Sequence, residues 1–161
     1  MKTSIGRALV AASLLIVGAP ASAADHIVTT GKKAAIEIMP NESEVDRALE
    51  AICLGAGRIE LRIGAELQVG RGAFDPVSVK VVSGKTTATL TGVSVKSPNF
   101  EMTGGSELLT VVEANDGALA LLSKGRGDVT LAAGEKRMSV AFDAAAKRKL
   151  AAFLDACRAG D

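Results

Sequence analysis

Cys53 and Cys157 are the only cysteines of the chain. They stand about a hundred positions apart, so pairing them would tie an early element to the last one and close a very long loop. Whether they pair depends on the compartment, because disulfides persist where the surroundings are oxidising. The N-terminus speaks to that. Lys2 and Arg7 precede "ALVAASLLIVGAPASA", Ala8 to Ala23. Its charge-free part, Ala8 to Val17, is about ten residues, which suits a signal-peptide core; a bilayer span needs roughly 20. Gly18 and Pro20 interrupt it, and Ala21-Ser22-Ala23 forms an A-x-A cleavage site, with Ser22-Ala23-Ala24 as a second frame. The expectation is a signal peptide over residues 1–23, removed, and a single exported domain over residues 24–161, periplasmic or secreted, of bacterial type. In that setting the even cysteine count predicts a Cys53–Cys157 bridge.

Composition narrows the partners. The 19 basic and 18 acidic residues become 17 and 18 once the leader takes Lys2 and Arg7. That balance argues against a nucleic-acid partner, which calls for a basic excess. Trp and Tyr are absent and Phe occurs four times, so platforms for stacking bases or sugars are missing. The core must come from Val, Ile, Leu and Ala. No segment beyond the leader suits a transmembrane span; Val111 to Leu122 is broken by Glu113, Asn115 and Asp116.

Hydrophobic periodicity predicts an α+β fold. Residues 24–34 read as a frayed start. "AAIEIMP", Ala34 to Pro40, reads as a short strand. In "NESEVDRALEAIC" the spacing of Val45, Leu49, Ile52 and Cys53 fits one helical face, stopped by Gly55 and Gly57. The middle alternates: Ile59, Leu61, Ile63; then Val77, Val79, Val81; then, past a tight turn at "SGK", the stretch through Val93 to Lys96 and around Phe100 to Met102. "SELLTVVEA" also leans towards strand. "NDGALALLSKG" reads as a short helix capped by Asn115 or Asp116. "DVTLAAGEKRMSVAFD" reads as a hairpin, after which Asp143 caps a helix that lines up Leu150, Phe153, Leu154 and Cys157. The expected architecture is an antiparallel, partly curled sheet of about six to eight strands, with a helix near the mature N-terminus and helices packed at the C-terminal end.

The ending "ALALLSKGRGDVTLAAGEKRMSVAFDAAAKRKLAAFLDAC" is a short helix, a basic turn, a hairpin and an alanine-rich helix. Over Asn115 to Arg158 this order resembles the C-terminal half of small periplasmic proteins of the invasion-associated locus B type, found in alphaproteobacteria. The resemblance implies a leader, a β-rich body and an envelope role. It supplies no catalytic residue.

Candidate chemistry is sparse. His26 is the only histidine, so Ser-His-Asp or Cys-His schemes would have to run through the start of the mature chain. Glu60, Glu66, Glu101 and Glu107 lie on β-like segments that read as solvent-facing; a hydrolytic pair among them is the weakest reading. Cleavage after Ala23 would leave Ala24-Asp25-His26 at a free amine. An amine, two deprotonated amides and an imidazole form a four-nitrogen plane suited to Cu(II) or Ni(II), the one cofactor reading the sequence offers. Arg126 and Asp128, within "GRGD", sit at an expected turn. Lys147, Arg148 and Lys149 place a basic face on the last helix. These five are the candidate interaction residues. The function expected is non-enzymatic: a disulfide-stabilised exported protein that binds another cell-envelope component. Binding of Cu(II) or Ni(II) through the N-terminus, and hydrolysis, are the alternatives.

Overall fold

A computed structural model describes residues 25–30, 33–38, 48–64, 67–140 and 143–160. Nine strands form one antiparallel sheet: β1 (Asp25–Thr30), β2 (Lys33–Ile38), β3 (Leu49–Gly55), β4 (Arg58–Ile63), β5 (Ala73–Ser83), β6 (Thr86–Lys96), β7 (Ser106–Glu113), β8 (Val129–Ala133) and β9 (Lys136–Val140). Their spatial order is β1-β2-β3-β4-β7-β6-β5-β8-β9. The described residues also form three helices: α1 (Phe100–Thr103), α2 (Gly117–Lys124) and α3 (Ala144–Ala159). The α+β class expected from the sequence is what the structure has, with one strand more than the expected range. The leader and its cleavage site lie outside the described residues.

Alternation makes the sheet two-faced. Leu49, Ala51 and Cys53 on β3, Ile59, Leu61 and Ile63 on β4, Val79 and Val81 on β5, Leu90 on β6 and Leu108 on β7 are all buried. Register brings them together, with Leu61 opposite Ala51 on one side and Thr110 on the other. The helices close this face. α3 lies against β2, β3 and β4, while α2 lies against β5, β6 and α3. Leu119 and Leu122 of α2 and Leu150, Phe153, Leu154 and Cys157 of α3 enter the same core. Both helices start as the sequence predicts. The Asp116 carboxylate accepts the Ala118 amide at 2.7 Å, and the Asp143 carboxylate accepts the Ala146 amide at 2.7 Å.

The step from β4 to β5 is the topological difficulty. The chain must pass the ends of β7 and β6, and its peptide groups need partners on the way. Two serines supply them. Ser94 donates to the Val69 carbonyl at 2.5 Å and accepts the Gly72 amide at 2.7 Å. Ser106 donates to the Gly70 carbonyl at 3.0 Å, and its own carbonyl accepts the Val69 amide at 3.0 Å. A side chain on Gly70 would come within 2.7 Å of Ser94, so the crossing needs glycine there as well as a φ of +73°. Ser94 is fully buried. Ser94→Ala is therefore expected to strand one carbonyl and one amide and to cost about 2–3 kcal/mol in urea unfolding. A loss under about 0.5 kcal/mol would show that the crossing is held otherwise.

Four expectations need correction. Leu49–Gly55 is strand β3, not the end of a helix. The helical spacing of Val45, Leu49, Ile52 and Cys53 coexists with the strand alternation Leu49, Ala51, Cys53, and pairing with β2 and β4 decides between them. Residues 41–47 of that expected helix lie outside the described residues. Gly55 and Gly57 are not a helix stop but flank Ala56 in the β3–β4 turn, where all three have positive φ. The expected frayed start contains β1, paired residue for residue with β2. Phe100–Thr103 is a single helical turn, closed by Gly104 at φ +64°, not a strand. In the hairpins the turns fall where the sequence puts them, Ser83 opposite Thr86 and Ala133 opposite Lys136.

Candidate functional site

Cys53 and Cys157 are joined, with their Cα atoms 5.6 Å apart. The bond fixes the last turn of α3 to β3, and the Gly57 amide adds a hydrogen bond to the Cys157 carbonyl at 3.1 Å. The tight β3–β4 turn also accepts Ala114: its amide donates to the Gly57 carbonyl at 2.7 Å. Three segments distant in sequence thus meet at one corner of the sheet.

α2 and α3 pack on one face of the sheet; on the opposite face Val111 and Thr91 are exposed, whereas Val95 and Glu107, at the Ser106 end of β7, are buried. The side chains of this opposite face alternate with those of the core. In one row stand Ile52, Glu60 and Val111; in the next stand Glu50, Arg62, Leu109 and Val93. Val111 on β7 is 53% exposed, and Leu54, two strands away at the end of β3, is 39% exposed. Ile52, Leu109 and Val93 are half-buried. Arg62 sits between two acids, its Nε 3.2 Å from Glu60 and 3.8 Å from Glu50. The face is mixed: Glu60 and Arg62 of β4 stand between Ile52 on β3 and Val111 and Leu109 on β7, and their charges compensate one another. The cluster that α2 and α3 cover lies on the other side, while Val95 is buried on this one.

The carboxylates singled out from the sequence do not converge. Glu60 is on β4, engaged with Arg62. Glu101 is exposed on α1. Glu107, expected to face solvent, is buried at 3% exposure, its side chain packed over Gly64. The missing signal is that Gly64 leaves a hollow that the neighbouring strand's side chain fills. Glu60 pairs with Val111, four residues from Glu107 along β7, or roughly 13 Å at strand spacing. Glu66 lies outside the described residues.

Of the N-terminal chelate set, Asp25 and His26 belong to β1, where they stand opposite Ile38 and Glu37; Ala24 lies outside the described residues. Of two consecutive residues in an antiparallel edge strand, one points its amide at the neighbouring strand. A chelate using both amides would therefore compete with the first rung of this ladder.

The five candidate interaction residues divide. Arg126 and Asp128 are exposed in the α2–β8 connection, and Arg148 and Lys149 are exposed on α3. Lys147 is not a free surface cation. Its Nζ donates to the Gly125 carbonyl at 2.7 Å and to the Gly127 carbonyl at 2.9 Å, clamping both ends of the Arg126 loop. Sequence reasoning missed the β5–β6 turn as the neighbour of this loop; Ser83 at that turn donates to the Arg126 carbonyl at 3.1 Å.

No helix among the described residues is long and apolar enough to cross a membrane. No family model matches the chain, and no curated protein or solved structure matches it significantly.

Proposed function

We propose that this is a non-enzymatic, exported binding protein that docks a protein of the cell envelope on the sheet face opposite its helices. The observation that carries the reading is Val111, half exposed on the sheet face opposite α2 and α3, with Leu109, Val93 and Ile52 half-buried on the same face. Apolar side chains grouped on an exposed sheet face are a feature that protein interaction surfaces use. The exposed face of a sheet suits a protein partner better than a small molecule, which needs a concave site. Its charges fit a protein better than an anionic bilayer: beside Val111, Arg58 and Arg62 are matched by Glu50, Glu60 and Glu113, which leaves no local basic excess. The leader-like start, the disulfide and the resemblance of Asn115 to Arg158 to periplasmic proteins support the envelope as the setting. The separation of the carboxylates supports binding over hydrolysis.

Affinity capture from crosslinked, solubilised envelope tests this. Wild type is expected to retain one discrete partner, and Val111→Arg to reduce its recovery about tenfold or more, as loss of a central contact does. Arg148→Ala, on the opposite layer, should retain it. Equal recovery by Val111→Arg, or capture of only a second copy of this chain, would overturn the proposal. Far-UV circular dichroism and the thermal midpoint establish that the variant is folded.

A further inference from the structure

A cleft of about 390 Å³ opens between the β5–β6 turn and the C-terminal end of α2. It lies at the margin of the helix layer, away from the open sheet face. Ala120 and Leu121 form its apolar side, and Lys85, Lys124 and Arg126 stand around it. The three cations come from the β5–β6 turn, the end of α2 and the loop that follows. All three are exposed, and none has a carboxylate within ion-pairing distance among the described residues. No acidic side chain lines the cleft. Three exposed cations around one cavity raise the local positive potential, which attracts an anion.

The wall that carries Arg126 is built rather than loose. The Arg126 carbonyl is held by Ser83, the Gly125 and Gly127 carbonyls by Lys147, and the Gly125 amide by the Leu121 carbonyl at 2.8 Å. A Cβ on Gly125 would lie 2.4 Å from both the Leu121 carbonyl and the Ser83 hydroxyl, so only glycine lets the loop approach this closely. The loop backbone is anchored at three carbonyls, while the Arg126 guanidinium remains available at the rim. Lys147 donates hydrogen bonds to the loop's carbonyls and adds a fourth positive charge behind it.

We infer that this cleft binds a single-chain anionic amphiphile, with the head group among Lys85, Lys124 and Arg126 and the first carbons of the chain against Leu121 and Ala120. Arg126 supplies a planar fork suited to two oxygens of a phosphate or carboxylate, and the two lysines supply mobile point charges. The apolar side explains why a head group alone would leave part of the cavity unused.

Calorimetry with dodecyl phosphate, below its micelle-forming concentration, tests the site. One equivalent is expected to bind, weakening several-fold as sodium chloride rises from about 0.05 M to 0.5 M. Arg126→Ala and Lys124→Ala should each weaken binding about tenfold, and Leu121→Asp should remove it. Val111→Arg should leave it unchanged, which separates this site from the proposed protein interface. Inorganic phosphate and dodecyl maltoside should each bind at least about tenfold more weakly. Inorganic phosphate binding as tightly would mean that charge alone is read, and dodecyl maltoside binding as tightly would mean that apolar surface alone is read; either result overturns the inference. So would undiminished binding by the Arg126 and Lys124 variants. The thermal midpoint of each variant without ligand confirms that loss of binding is not loss of fold.

Discussion

Replacing both cysteines by alanine is expected to lower the unfolding free energy by about 4 kcal/mol. The bond links positions 104 apart, so in the chain-entropy account it removes much of the unfolded chain's freedom. Its native-state role points the same way. Without it, the last turn of α3 keeps the Gly57–Cys157 backbone hydrogen bond and the packing of Leu150, Phe153 and Leu154 as its main ties to the sheet. In urea the midpoint should fall by about 2 M, given a slope near 1–3 kcal/mol/M. The comparison must be made in the oxidised wild type, and adding reductant to the wild type should reproduce most of the change. A midpoint displaced by less than about 0.5 M would mean that the bridge decorates an already secure helix.

Phe153→Ala is expected to cost about 3–5 kcal/mol. Phe153 is 7% exposed and sits between Leu150 and Leu154, which are 1% and 4% exposed, on the stripe that α3 turns inward. Aromatic residues are scarce in this protein, so the core around this ring is aliphatic and cannot restore the lost volume with another ring. Arg148→Ala, exposed on the same helix, should change stability by no more than about 0.5 kcal/mol. Thermal or urea unfolding measures both. Similar small effects would mean that α3 does not pack through this face.

What could be read from the sequence and what could not follow the range of the interactions. Strand β4 was legible because Ile59, Leu61 and Ile63 alternate strictly with Arg58, Glu60 and Arg62, and one solvated face enforces that pattern. The caps at Asp116 and Asp143 were legible because they are satisfied within three residues. The disulfide was legible from the even count and the inward stripe of α3. Strand β3 was not. "LEAIC" contains good helix formers, and its strand character comes from β2 and β4, whose positions the local sequence does not encode. The burial of Glu107 was hidden for the same reason, since it depends on Gly64 being beside it. The sequence drew attention to Arg126 but not to Lys85 and Lys124. Those two reach the same cleft only because α2 crosses back over β6 and β5. Lys147 was misread as surface charge because the carbonyls it holds belong to a loop some twenty positions earlier. The sheet face opposite the helices was out of reach altogether: alternation shows that a strand has two faces, but not which of them the helices will cover.

Crosslinking in intact cells tests the central claim most directly. A photo-reactive amino acid at Val111, on the open sheet face, and the same residue at Arg148, on the helix layer, give a paired comparison. The expected result is one envelope protein attached from position 111 and none from position 148, in the exported, oxidised form of the chain. Attachment from both positions alike, or no attachment from position 111, would contradict the claim that the open face is where this protein does its work.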